Sequence, residues 1–172
     1  MTDFLSLAQA RYSARGFEAR EVEAEKIATI LEAVRVAPSA VNKQPWFGWV
    51  VSSEEAKARL NGCSKYNFCA PITFVVGYRT EEAWTRRYDN HNHAEIDACI
   101  AATHLMLAAA DLGLGTTWIG NFDPEALAQA LPETAGYTIL GYFPCGYPSA
   151  DKGQPSERHL DRKALEEMSA TL

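Results

Sequence analysis

Between Val22 and Val36 the apolar side chains Ile27, Ile30, Leu31 and Val34 recur at i, i+3, i+4 and i+7, the period of a helix with one buried face. Glu21, Glu23 and Glu25 cluster at its start, where the helix dipole favours anions, and Pro38 closes it. Phe47 to Val51 is a short run of aromatic and β-branched residues, which predicts a strand; Glu54 to Leu60 after a Ser-Ser cap predicts a short helix. Ile72 to Tyr78 reads as a second strand. Ala94 to Leu112 is apolar or small on almost every side, so it predicts a helix buried in a core or a subunit interface and ended by Gly113. Thr116 to Ile119 reads as strand or loop. Asp123-Pro124 places an N-cap before a proline at the first helical position, opening a helix over Glu125 to Leu131. Tyr137 to Phe143 reads as a third clear strand, and Leu160 to Met168 as a closing helix or arm. Arg79 to His93 carries no periodic signal.

Helices and three or four strands interleave here without the regular alternation of a doubly wound sheet, so the expected class is α+β, a small sheet flanked by helices. The 172 residues suit one domain spanning 1–172. A hydrophobic share of 47% beside 22% charged residues is that of a globular chain. No apolar run approaches the roughly 18 residues that span a bilayer, and Met1-Thr2-Asp3-Phe4 lacks a basic leader, so a cytoplasmic protein away from membranes is expected. A net charge of -6 disfavours nucleic acid. It leaves room for a local anion site, because fields are screened within about 8 Å in physiological salt. Cys63, Cys69, Cys99 and Cys145 have neither zinc-site spacing nor disulfide density, and read as reduced thiols.

Three polar segments stand apart from the core pattern. In Arg11-Tyr12-Ser13-Ala14-Arg15 the two arginines lie at i and i+4, so on a helical start both guanidinium groups share one face and offer bidentate donors to a phosphate. Pro38-Ser39-Ala40-Val41-Asn42 is a tight connection after a helix, followed at once by Gln44-Pro45-Trp46. Gly113-Leu114-Gly115 follows a helix rather than a strand, which excludes a dinucleotide fingerprint, and leads into Trp118-Ile119-Gly120-Asn121. His91, His93, Asp97, Cys99 and His104 match no zinc motif, and His104 reads as a buried, hydrogen-bonded ring; no metal site is expected. Neither a serine elbow nor a P-loop occurs.

In this order and at these separations, the three segments resemble the nitroreductase family of FMN-dependent oxidoreductases, over Leu5 to about Arg158. The resemblance implies a largely antiparallel sheet flanked by helices, in two chains intertwined as a homodimer. It implies FMN held by Arg11, Ser13 and Arg15 at the phosphate, ribityl chain and pyrimidine edge, with Arg158 as a late basic partner for the phosphate. Lys152 and Arg162 lie near enough in sequence to take that place. Pro38, Ser39 and Asn42 would line the ring of the partner chain's flavin, with Gln44 bracing their loop. The segment Trp118, Ile119, Gly120 and Asn121 would pass beside the flavin, with a backbone N–H donating to N5. No side chain need act as a catalytic acid.

The implied activity is a ping-pong cycle in which NADH or NADPH reduces the flavin and a nitroaromatic, quinone or similar small electrophile reoxidises it. The alternative is a flavin-binding protein with a storage or partner role and little turnover. Two departures from the family stand out. Only Arg79 to His93 fills the interval in which longer members carry covering helices, so Trp84 or Tyr88 are candidates to complete the pocket. Lys65 and Asn67 are out of clear register with the family's flavin contacts before the second strand.

Overall fold

The computed structural model describes residues 3–172; Met1 and Thr2, part of the N-terminal sequence read above for a leader, lie outside them. Helix α1 (Phe4–Ala10) starts at Asp3, whose carboxylate accepts from the Ser6 N–H. Helix α2 (Ala24–Arg35) buries Ile30 and Val34, the inner positions of the repeat in the sequence. Strand β1 (Trp46–Val51) leads to α3 (Glu54–Asn61), capped by the Ser53 hydroxyl on the Ala56 N–H, and then to β2 (Ile72–Tyr78). The long α4 (Ala94–Asp111) stops where Gly113 takes φ 75°, a conformation glycine reaches without penalty. The two-residue β3 (Gly115–Thr116), α5 (Pro124–Ala130) and β4 (Thr138–Gly146) complete the regular elements. Asp123 caps α5 through the N–H groups of Glu125 and Ala126, both at 3.0 Å.

The strands form one antiparallel sheet in the order β1-β2-β4-β3. Side chains alternate between its faces. Phe74, Val76, Phe143 and Cys145 point to α2 and α4, where Ile30, Val34, Ala101, Ala102, Leu105 and Ala109 meet them. Val75 and Tyr142 point the other way, against Leu60, Ile119, Leu127 and Leu131. With helices on both faces, β2 is buried from Ile72 to Gly77, which is why its sequence runs apolar without alternation. Helix α4 is apolar on almost every side because it packs on α2, on the sheet and on α1, with Glu95, Thr103 and Asp111 left exposed. Asp97 is the one charged side chain buried among the described residues.

Helix α1 and the Arg79–His93 interval go beyond the sequence expectation, and the C-terminal segment takes the arm rather than the helix of the two forms expected for it. Helix α1 was not anticipated. Residues Arg79 to His93 fold into a turn at Thr80–Glu82 and a small hairpin bridged by Thr85 and Asn92. The C-terminal segment is an exposed arm with short turns at Glu157–Leu160 and Leu165–Glu167, leaving Leu160, Leu165 and Met168 in solvent. No helix among the described residues is long and apolar enough to cross a membrane.

Candidate functional site

The N-terminal arginine segment is extended, not helical. Arg11 ends α1 by donating its N–H to the Leu7 carbonyl and then turns to φ -64°, ψ 128°. The chain next pairs with β3: Ser13 bridges Thr116 in parallel, and the Ala14 N–H donates to the Thr116 carbonyl at 3.1 Å. That pairing demands an extended backbone, so four residues span about 13 Å and Arg11 and Arg15 do not share one helical face. Arg15 is exposed and turns back to the Ser13 carbonyl at 3.3 Å. Arg11 is half-buried, in a pocket of ≈ 170 Å³ with Leu7, Tyr12, Ala110, Gly113 and Pro148. Burial and then the like charge of Arg162 push its pKa down, a penalty that a bound anion would relieve.

The C-terminal arm returns to this place. The rings of Tyr12 and His159 meet edge-on with centroids 5.9 Å apart, which seats the turn carrying Arg158 beside the N-terminal segment. Arg158 is exposed there, and it is Arg162, further along, whose charge acts on Arg11.

The close fit of the N-terminal segment on β3 depends on Gly115. A Cβ there would lie 2.6 Å from the Ala14 Cβ and 2.8 Å from the Pro148 Cγ. Beyond β3, Ile119 exchanges both backbone hydrogen bonds with Tyr142, at 2.9 and 3.2 Å. Its N–H is therefore engaged and cannot serve a ligand. Trp118 packs on Phe143, with centroids 5.1 Å apart, and its indole edge closes over Gly141. Gly120 and Asn121 are exposed, their N–H groups have no acceptor among the described residues, and the space at Gly120 is open. The Ser64 hydroxyl donates to the Asn121 carbonyl at 3.0 Å and the Asp123 N–H to the Cys63 carbonyl at 3.1 Å, which fixes this turn from behind. Nothing in the sequence around Ser64 marks it for that role.

The third segment is strained. Val41, Asn42 and Gln44 have φ of 45°, 56° and 50°, the left-handed region, where a β-branched residue is an outlier. Each such residue costs about 1–3 kcal/mol, so the loop persists only because its surroundings hold it. The Gln44 N–H donates to the Ser39 hydroxyl at 2.9 Å, and the Gln44 amide donates to the Asn42 carbonyl and side-chain oxygens at 3.2 and 3.1 Å. Gln44 thus braces the loop, as its place in the sequence suggested. The Ala40 N–H donates to the Asp97 Oδ1 at 2.9 Å, and Pro45 is fully buried behind. These bonds leave the Ser39 hydroxyl hydrogen and the Asn42 NH2 free to donate, while Pro38 is exposed.

The structure brings Arg11 and Ser13 together with Gly115 and Thr116, from which the chain runs on to Gly120 and Asn121, and holds Pro38, Ser39 and Asn42 elsewhere. The loop meets α4 at Asp97, near its start, whereas Ala110 and Gly113 at the other end line the Arg11 pocket. At 1.5 Å per residue the two places are roughly 20 Å apart. Among the other residues noted in the sequence, Trp84 packs on His93 with centroids 4.7 Å apart, beside the start of α4, and Tyr88 is 81% exposed. The His104 Nδ1 is 3.2 Å from the Ala33 carbonyl, as a half-buried, bonded ring. Asn67 caps its own turn through the Cys69 N–H at 3.0 Å. No group of three metal-type side chains converges among the described residues.

The model of the nitroreductase family matches residues 8–68 and 67–147, so the match takes in all three segments up to the start of the arm. The chain belongs to the nitroreductase family. It is 36% identical to the major NAD(P)H-flavin oxidoreductase of Aliivibrio fischeri, over 94% of this chain and 95% of that protein. A nitroreductase family protein of Clostridium difficile 630 superposes with a TM-score of 0.90 at 29% identity, covering 99% of this chain and 100% of that one. An FMN-dependent nitroreductase of Clostridium difficile R20291 superposes with a TM-score of 0.74 at 26% identity, covering 92% and 95%. Membership of this family, with its NAD(P)H-flavin oxidoreductase and nitroreductase relatives, makes this chain an oxidoreductase of the nitroreductase fold, as the residues had suggested.

Proposed function

We propose that the protein is an FMN-dependent NAD(P)H oxidoreductase that works as a homodimer and reduces small conjugated electrophiles such as nitroaromatics and quinones. The observation that carries this reading is the bridge from Ser13 to Thr116, which seats a half-buried arginine and a serine at the start of the stretch that runs on to the open backbone donors of Gly120 and Asn121. The donor set fits the cofactor. Arg11 and Arg162 lie near enough for the charge of one to act on the other, and together they suit a phosphate; Arg158, Arg15 and Lys152 are further basic groups in the adjoining sequence. Ser13 lies between that place and β3, and suits a hydroxyl or ring-edge contact.

The Ile119 N–H is already bonded to Tyr142 and is not the N5 donor; the exposed N–H groups of Gly120 and Asn121 suit that part. Ile119, buried with Val75 and Tyr142, sets the register instead, while Trp118 packs against Phe143 on the other face of the sheet. When bound, FMN supplies the electron chemistry, taking two electrons from NADH or NADPH and passing them to the acceptor. The chain's own part is to bind, to orient, and to place backbone donors where negative charge develops.

The roughly 20 Å along α4 between the two halves of the candidate site supports the dimer. Pro38, Ser39 and Asn42 reach a cofactor held at Arg11 when a second chain supplies them. The agreement in sequence and fold with an NAD(P)H-flavin oxidoreductase and an FMN-dependent nitroreductase supports the same cofactor and donor. The test is the visible absorbance of the protein after incubation with FMN and gel filtration, with the bound compound released and identified by mass. Retained FMN at one per chain, on a species of twice the chain mass, is expected. A colourless protein after FMN addition overturns the reading, and retained FMN that neither nicotinamide reduces moves it to a storage role.

A further inference from the structure

We infer that Asp97 is the positioning residue of the active site, a buried carboxylate that holds the strained Ser39–Asn42 loop in the shape that meets the partner's cofactor. This rests on the flavin reading above and names the residue that sets one wall of that site. Asp97 is 2% exposed, on a helix whose other buried residues are Ala94, Ala98, Ala101, Ala102, Leu105 and Ala109. A carboxylate in such a place is costly unless it is fully bonded. Asp97 accepts from the Ala40 N–H at 2.9 Å through Oδ1, while Oδ2 is buried with no partner among the described residues. A core side chain with half its hydrogen-bonding capacity unused serves packing poorly; alanine occupies every comparable small position on that helix. What Asp97 does accomplish is specific: it fixes the one backbone N–H at the entrance to three residues of left-handed or braced backbone.

The loop's other bonds, over Ser39 to Gln44, are internal to it, within its turn and from Gln44 to Ser39 and Asn42, and preserve its local shape; the Arg79 N–H, donating to the Pro45 carbonyl at 2.9 Å, holds only the exit into β1. The bond from Ala40 to Asp97 links it to α4, which also carries the sheet-packing core and, at its far end, the Gly113 turn that leads to the Arg11 pocket. The free donors of Ser39 and Asn42 are thereby held at a fixed height on α4. Without the bond the loop keeps its internal brace and its exit into β1 and loses its tie to α4.

The test compares D97A, D97N and the loop-side variant A40P, which removes the N–H without touching Asp97; Ser39 already has the extended backbone (φ -141°, ψ 161°) that a following proline needs. Three quantities are read: FMN dissociation constant, Ala40 amide exchange in D97A and D97N, and thermal midpoint of the FMN-free protein. Loss of a charge-assisted bond is expected to weaken FMN about tenfold or more in D97A and to expose the Ala40 amide. In D97N the amide oxygen accepts the same bond, and most of the affinity and protection return. A40P weakens FMN as D97A does, and the double variant is no worse than either single one, because all three remove one interaction. FMN affinity unchanged in a folded D97A, or D97A and A40P losses that multiply, overturns the inference. If the wild-type protein binds no FMN the flavin reading fails by itself, and unprotected Ala40 exchange in the wild-type chain then overturns the anchor separately.

Discussion

Replacing Gly115 with alanine tests the close packing on which the candidate site rests. The added methyl would stand 2.6 Å from the Ala14 Cβ and 2.8 Å from the Pro148 Cγ, where carbon atoms normally approach to about 3.5–4.0 Å. Neither neighbour is the free end of a long side chain. Ala14 is tied to Thr116 through its own N–H, and the Pro148 ring is rigid, so the segment carrying Arg11 and Ser13 must move outward by about 1 Å. Overpacking of this kind costs about 1–3 kcal/mol. Loss of glycine's freedom in the unfolded chain works the opposite way by about 0.4–1 kcal/mol, leaving a net loss of about 1–2 kcal/mol. For a chain of this length that lowers the thermal midpoint by about 2–8 °C. Gly120→Ala is the control, since it carries the same unfolded-state gain and meets nothing within 4 Å. Melting both variants without FMN, at equal protein concentration, separates packing from ligand and subunit linkage. The reasoning is refuted if Gly115→Ala melts at or above Gly120→Ala. Because the displaced segment holds Arg11 and Ser13, Gly115→Ala also weakens FMN in titrations with the loaded protein.

Three further outcomes follow from individual groups. Arg162→Ala weakens FMN more than Arg158→Ala, because Arg162 is the charge that acts on Arg11; equal losses by equilibrium dialysis would return Arg158 to that role. The Glu23 carboxylate accepts from the Tyr147 hydroxyl at 2.6 Å, and chiefly for that reason its pKa falls from 4.5 to about 2. A depressed acid contributes stability that is present above pH 4.5 and is lost as pH falls through about 2, so the midpoints of wild type and Glu23→Gln converge across that window; a constant difference contradicts the assignment. Among the four thiols, exposed Cys69 labels first with a maleimide and Cys145 labels last, since burial pushes the Cys145 thiol up to about 12; early Cys145 labelling followed by mass spectrometry would contradict its place in the core.

Much of the fold was legible because the strong signals were local. The repeat of Ile27, Ile30, Leu31 and Val34, the unbroken apolar run of β2 and the Asp123-Pro124 start of α5 each depend on a few neighbouring residues, and each element stands where those residues place it. The missed features are long-range. Arg11 to Arg15 read as a helical start because i and i+4 is a helical spacing, but pairing with Thr116, about a hundred residues on, imposes an extended chain. Ile119 stood with Gly120 and Asn121 as a backbone donor until its bond to Tyr142 removed it. Helix α1 is exposed and short, with no buried residue to impose a period, and so left no pattern to read. Asp97 stood in the sequence as one of three carboxylates on α4, with Glu95 and Asp111, and only its burial and its bond to Ala40 give it a role. Ser64 left none, because a serine before a lysine and a tyrosine says nothing of the carbonyl of Asn121.

Anaerobic titration of the FMN-loaded protein with NADH, and separately with NADPH, is the most direct test of the central claim that the chain is an FMN-dependent oxidoreductase. The account predicts that at least one nicotinamide bleaches the visible absorbance of oxidised flavin at one equivalent per chain, and that adding a quinone or nitroaromatic restores it. Intact bound FMN that neither nicotinamide bleaches would contradict it.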